Sequence, residues 1–157
     1  MSLQTTVEPQ KLVMTRTFAA PLETVYRAWT EPDRMVRWFS PNVRWNSPTI
    51  DVEPVPGGKH NITMNHSDGD QVHWIGNYVE LVPFERLAFT LKWLEDTDDP
   101  GESLVTVELR PVPEGTELTL THNNLRTVKA LEGVSSGWDG CLAMLGEYLG
   151  GAVLFEK

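Results

Sequence analysis

Four histidines and one cysteine carry most of the chemistry this chain could perform. His60, His66, His73 and His122 each have the side chain that changes charge near neutral pH, and Cys141 is the one thiol that could serve as a nucleophile. Spacing limits what they can do together. His60 and His66 fall on one strand six residues apart, about 20 Å at about 3.3 Å per residue, too far for a shared ion. His73 and His122 fall on strands with two others between them, roughly 14 Å at about 4.8 Å per strand, so a small organic molecule could span them and a metal could not. No metal and no cofactor is therefore expected. Cys141 lies on an apolar helical stripe without a base and orienting third group in sight, which is the pattern of a small buried hydrophobe.

The remaining charged feature is acidic. Glu95-Asp96-Thr97-Asp98-Asp99-Pro100-Gly101-Glu102 holds five carboxylates in eight residues. A calcium loop counted from Asp96 would need a bidentate acid at its twelfth position, where the chain has Val107. The run reads as a solvated loop between strands.

The elements that must position these groups follow from periodicity and turn signals. Residues 11–18 alternate as a strand. Pro21 opens a short helix over 22–30, and Thr30 with Asp33 three residues on predicts a second helix running through Met35 and Trp38, with Thr30 as its cap. Pro41 and Pro48 bracket an irregular stretch before a strand at 49–53, and Pro54-Val55-Pro56-Gly57-Gly58 breaks the chain again. Asp68-Gly69 predicts a two-residue hairpin turn pairing Met64 with His73, Ile62 with Ile75 and His60 with Asn77. A three-residue loop at Pro83-Phe84-Glu85 sets Leu81 opposite Leu87, Val79 opposite Phe89 and Asn77 opposite Leu91. A turn at Pro113-Glu114 sets Val105, Val107 and Leu109 opposite His122, Leu120 and Leu118.

Strands 59–66, 71–82, 86–93, 104–110 and 116–122 then share one apolar face carrying His60, His66, His73, Asn77 and His122, while Trp74 and Tyr78 point outward as a candidate self-association patch. A buried imidazole or amide without a partner costs about 1–3 kcal/mol, so a wet or ligand-filled cavity is one way to satisfy these groups. Val134, Trp138, Cys141, Leu142, Leu145 and Leu149 recur at helical spacing and would cover the sheet. Gly133, Gly137, Gly140 and Gly146 in that helix each cost about 1 kcal/mol against alanine, which suggests close approach or room for a guest.

Composition bounds the partners. A chain of 157 residues fits one domain spanning 1–157, with its core at about 11–149, and can bury roughly 68–70% of its unfolded surface. With 13 basic and 22 acidic residues the formal charge is −9, which disfavours nucleic acid and anionic membrane surfaces. No apolar run approaches the roughly 20 residues of a membrane span. One cysteine and no basic leader followed by an apolar run set the expectation of a reducing, cytoplasmic setting.

The order β, α, α, six β, α belongs to the α+β class. Five sequence words accompany it: Arg16-Thr17-Phe18-Ala19-Ala20-Pro21, Ala28-Trp29-Thr30-Glu31-Pro32, Arg37-Trp38-Phe39-Ser40-Pro41, Pro83-Phe84-Glu85-Arg86-Leu87-Ala88-Phe89-Thr90 and Gly137-Trp138. Together they resemble the START-like (SRPBCC) superfamily and, within it, the family named for the activator of the heat-shock chaperone ATPase. The resemblance implies a helix-grip fold, a seven-stranded curved antiparallel sheet around a long C-terminal helix with a cavity between them. Phe84 stands where the family wording has a second proline, and no catalytic motif of the superfamily maps onto this chain.

Members of such a fold bind small molecules, catalyse or assist chaperones, so three readings stay open. The first is a binding module for a small aromatic or lipid-like molecule, oriented by His73, Asn77 and His122 and contacted by Phe89, Leu91, Trp93, Val107, Trp138 and Leu142. The second is a partner of a chaperone, implied by the family name, which comes from a longer multidomain relative. The third is a cyclase- or hydrolase-like enzyme using His73 or His122. A monomer and a homodimer are both compatible with the sequence.

Overall fold

The computed structural model describes residues 6–40, 45–95, 102–150 and 153–156. The elements run β1 (Thr6–Phe18), α1 (Leu22–Ala28), α2 (Pro32–Met35), β2 (Trp45–Val52), β3 (His60–His66), β4 (Gln71–Ile75), β5 (Tyr78–Val82), β6 (Arg86–Trp93), β7 (Ser103–Val112), β8 (Gly115–Thr127), α3 (Val128–Tyr148) and β9 (Val153–Glu156). The strands form one nine-stranded antiparallel sheet in the order β2-β3-β4-β6-β7-β8-β1-β9, with β5 paired to β6 beside that path. The α+β helix-grip expectation holds. Two strands come on top of the expected seven, because the segment 71–82 breaks in two and a short β9 follows the long helix. The stretch 96–101 and residues 41–44 lie outside the described residues, which takes in most of the expected acidic loop.

Local chemistry explains the two short helices. Pro21 has φ −66°, ready for a first turn, and α1 buries Val25, Tyr26 and Ala28. The second helix is capped one residue later than expected. Glu31 occupies the cap and Pro32 the first position, while the Thr30 hydroxyl donates back to the Tyr26 carbonyl at 3.3 Å. Because Thr30 spends its hydroxyl on α1, it does not cap α2; the helix itself ends at Met35, short of Trp38. Trp38 is instead fixed by its indole N–H, which donates to the Ala28 carbonyl at 2.8 Å.

The sheet has two differently built halves. At β7–β8 the register is the expected one: Val105 faces His122, Val107 faces Leu120 and Leu109 faces Leu118. At β3–β4 it is displaced by one residue, with Ile62 opposite Trp74, Thr63 opposite His73 and Met64 opposite Val72. The turn is the cause. Its loop takes three residues, Ser67, Asp68 and Gly69, closed by the His66 N–H donating to the Asp70 carbonyl at 2.8 Å and the Gly69 N–H donating to the His66 carbonyl at 2.9 Å. Gly69 supplies the left-handed residue this loop type needs, with φ +100°. A slip of one residue sends every side chain to the other face. Trp74 therefore points inward and His73 outward, the reverse of the expectation.

The break after β4 corrects the rest of that segment. A Cβ on Gly76 would lie 1.8 Å from the Thr90 carbonyl oxygen, so the backbones touch there in a way that only glycine allows. Asn77 beside it keeps a single antiparallel bridge to Lys59, with its N–H donating to Thr90 Oγ1 at 3.0 Å and its side-chain amide donating to the Gly57 carbonyl at 3.2 Å. The loop 83–85 keeps the expected register through Leu81–Leu87 and Glu80–Ala88. An irregularity at Val79 then brings Tyr78, not Val79, opposite Phe89. Tyr78 is consequently buried and Val79 exposed, so the proposed outward aromatic patch of Trp74 and Tyr78 does not exist.

Helix α3 packs on β1 and β8 through Val134, Trp138, Cys141, Leu142 and Leu145, the stripe legible in the sequence. Thr127 caps it, Oγ1 accepting the Ala130 N–H at 3.0 Å. Among the described residues no helix is long and apolar enough to cross a membrane.

Candidate functional site

Because α3 leans on the β1–β8 side, the curved sheet leaves space under its other half. A cavity of about 300 Å³ lies there, at the lower end of the range for small-molecule sites. Its sheet wall comes from Ile62 and Met64 of β3, Val72 and Trp74 of β4, Leu91 and Trp93 of β6, Ser103 of β7, and His122 and Leu125 of β8; Phe39 closes one end. Ala130, Gly133, Val134, Ser136, Gly137, Trp138 and Cys141 of α3 form the roof. No Asp, Glu, Lys or Arg is among these residues. The mouth runs where Gly133 and Ser136 are exposed and Met64, Val72, Trp74 and Trp93 only half-buried.

Strand β8 reaches this wall with two side chains through a change of phase. Asn124 sits at φ +64°, an unusual conformation for a residue other than glycine. Burial then shifts from the even positions ending at His122 to Leu125, so both side chains face the cavity. Such irregularities re-aim side chains next to functional sites.

His122 is the centre of a one-way chain of hydrogen bonds. The Trp138 indole N–H lies 3.0 Å from His122 Nδ1, and an indole nitrogen can only donate. Nδ1 must therefore be the accepting nitrogen, which puts the imidazole proton on Nε2. That proton is donated to Ser103 Oγ at 2.6 Å, and the Ser103 hydroxyl donates onward to the Leu91 carbonyl at 3.0 Å. Every member is satisfied, and the imidazole is neutral. Burial lowers the His122 pKa from 6.5 to about 4, and protonating it would also break the Trp138 bond.

His60 is equally buried and has no such chain. Neither ring nitrogen has a hydrogen-bond partner among the described residues. Its ring stacks on Phe89 with centroids 3.9 Å apart and planes at 10°, while the Tyr78 ring meets it edge-on at 5.1 Å. Burial lowers its pKa to about 4. His60 is aromatic filler in the core behind the cavity.

Of the residues expected to form the site, Leu91, Trp93, His122 and Trp138 line the cavity together. Phe89, Val107 and Leu142 are fully buried in the core and do not reach it. His73 and Asn77 are corrected to the opposite side of the sheet, for the reasons of register given above. His73 Nδ1 pairs there with Glu95 Oε2 at 2.6 Å, and the His73 backbone N–H donates to Glu95 Oε1 at 2.7 Å. His66 is likewise outside the cavity, 2.8 Å from Asp68 within the turn. Glu85 and Arg86 belong to a hairpin, where Arg86 forks onto Glu80 at 2.7 and 3.1 Å.

Sequence reasoning missed Phe39, Val72, Trp74, Ser103, Leu125, Ala130 and Ser136. A three-residue reading of the Asp68-Gly69 turn would have recovered Val72 and Trp74; Asn124 gave no warning that Leu125 faces in. Cys141 touches the cavity but is sealed, and burial pushes its thiol far above the ordinary range, so it is no thiolate at neutral pH. Among the described residues, no three His, Cys, Asp or Glu side chains cluster as a metal site.

Two further features mark the mouth. Trp74 and Trp93 stack with centroids 5.7 Å apart and planes at 26°, and the Lys129 ammonium lies 5.6 Å from the Trp93 ring centroid. Opposite them, Gly133 and Gly137 sit one turn apart on α3, and a Cβ on either would meet nothing within 4 Å. Neither glycine is required by close packing, although each costs about 1 kcal/mol in a helix.

A sheet gripping a C-terminal helix, with an apolar cavity between them, is the START-like architecture. The chain belongs to the family described as Activator of Hsp90 ATPase homolog 1-like protein, whose profile matches residues 19–150. Solved structures agree. A protein from Chromobacterium violaceum is 26% identical, with TM-score 0.74 over 88% of this chain and 96% of that one. One from Rhodobacter sphaeroides is 26% identical, with TM-score 0.76 over 90% and 97%. An AHSA1 protein from Silicibacter pomeroyi, 21% identical with TM-score 0.75 over 89% and 97%, shares the fold. No curated protein matches the chain.

Proposed function

We propose that this protein binds a small, neutral, largely apolar molecule in the cavity between α3 and the sheet. The observation that carries the reading is the cavity itself, about 300 Å³ walled mostly by apolar side chains, where His122, Ser103 and Trp138 are bonded to one another and the buried Trp93 indole N–H has no partner among the described residues. The hydrogen-bond chain favours binding over catalysis. A general base must offer a lone pair, and the only one on His122 accepts from Trp138. The Ser103 oxygen accepts a hydrogen bond from His122 and its hydroxyl donates to the Leu91 carbonyl, so His122 offers it no base, opposite to an activated nucleophile.

The test is thermal stabilisation by hydrophobic probes, paired with Leu91→Trp, which fills the cavity from the sheet. Wild type gains melting temperature with the probe and the variant gains none. An equal gain in both removes this site. Native mass spectrometry of protein from its own source would identify the guest. A cytoplasmic setting accompanies the reading, since the one cysteine is a buried free thiol.

The family description favours a second reading, assistance to a chaperone ATPase. Its test is stimulation of that ATPase by the purified protein; no stimulation and no complex would retire it.

A further inference from the structure

We infer that the cavity mouth is a slot selecting flat, uncharged ring systems of one or two rings, an inference that rests on the ligand-cavity reading. One side of the slot is the stacked pair Trp74 and Trp93, half-buried and so able to present ring surface to a guest. The other side is α3 at Gly133 and Gly137, where the helix has no side chain and a Cβ would meet open space. Met64 and Val72, paired across β3 and β4, line the same sheet wall as the tryptophans. A helical turn without side chains and an aromatic pair on the walls of one cavity suit a planar ring better than a puckered one. Aromatic rings also gain from offset or edge contact with tryptophan beyond the area they bury.

Charge is excluded by the same inventory. Among the described residues, no ionisable side chain other than the neutral His122 and the sealed Cys141 lines the cavity, so an ionic group on the guest would meet no counter-charge from them. The Lys129 ammonium sits over the Trp93 ring. The glycines are the evidence that space is what the sequence maintains here: alanine would strengthen the helix and clash with nothing in the protein.

The test uses naphthalene, its puckered counterpart cis-decalin, and 2-naphthoate, titrated calorimetrically into wild type, Gly137→Ala and Gly137→Leu. Wild type should bind naphthalene about tenfold more tightly than either comparison compound. Gly137→Leu should lose at least tenfold in naphthalene affinity, and Gly137→Ala should melt no lower than wild type. Equal binding of naphthalene and cis-decalin, binding of 2-naphthoate as tight as naphthalene, or unchanged naphthalene affinity in Gly137→Leu would overturn the slot while leaving the cavity reading intact. A lower melting temperature for Gly137→Ala would assign the glycine to packing and also overturn it. If wild type binds none of the three, the cavity reading falls with it.

Discussion

The β7–β8 side of the sheet and the β3–β5 side each bury a histidine completely, under different terms. His122 has both nitrogens engaged, between an indole donor and a serine oxygen, and stands on the cavity wall. His60 has neither engaged and lies flat against Phe89. The first is held by direction and the second by shape. A ring that must keep its orientation beside open space needs hydrogen bonds, because packing is missing on one side; a ring enclosed by Phe89 and Tyr78 is oriented by contact alone.

That contrast can be attacked at several points. The strongest is the backbone contact that holds the His60 side together. Gly76→Ala would drive a methyl into the Thr90 carbonyl and should cost more than about 4 kcal/mol, read as loss of the cooperative unfolding transition or of soluble protein. A variant of normal stability would show that the β4–β5 break is not built as described.

Acid should strain both halves. Each histidine has its pKa depressed from 6.5 to about 4, so above 6.5 folded and unfolded chains are both neutral at these sites and no stability is lost. Between 6.5 and about 4 the unfolded chain takes up protons that the folded chain refuses, and stability falls with pH by about 3 kcal/mol per histidine. Denaturant midpoints across that window measure the slope. In His60→Leu or His122→Leu the slope should drop by one proton, and an unchanged slope would show that the replaced ring titrates normally.

At neutral pH the two replacements should part. His122→Leu leaves the Trp138 N–H buried without an acceptor and should cost about 2–3 kcal/mol. His60→Leu removes two unsatisfied nitrogens at the loss of one ring stack and should stay within about 1 kcal/mol of wild type. Equal losses would erase the distinction between the two sites. The smallest effect expected is at the joint of β8 and α3, where Thr127→Ala should cost about 1 kcal/mol through loss of the cap and should leave probe binding in place.

The same division governs what could be read from the sequence. Val105, Val107 and Leu109 alternate with polar residues, and one turn length fits them, so the β7–β8 pairing was legible. Between His60 and Trp93 the pattern is ambiguous. Val72 and Trp74 on one face compete with His73 and Ile75 on the other, and Asp-Gly suits both two- and three-residue loops. The three-residue turn at Ser67-Asp68-Gly69 settled the β3–β4 register, and the irregularity at Val79 turned Tyr78 inward. The helical stripe of α3 was clear because 3.6-residue spacing over a 21-residue helix leaves little choice. The cavity residues were half legible for the same reason: Leu91, Trp93, His122 and Trp138 lie on elements of unambiguous phase, whereas His73 and Asn77 lie on the segment that slipped.

The direct passage from β8 into α3 has a mechanical consequence. The strand ends at Thr127 and the helix begins at Val128, with no linker to absorb a change in length. Chain count therefore acts as a gear tooth between sheet and helix. One inserted residue at this joint would turn α3 by about 100° about its axis. Trp138 would swing away from His122, and Gly137 away from the tryptophan pair, while every strand stayed where it is. The position of the roof over the cavity is thus stored in the number of residues between His122 and Trp138 as much as in any contact between them.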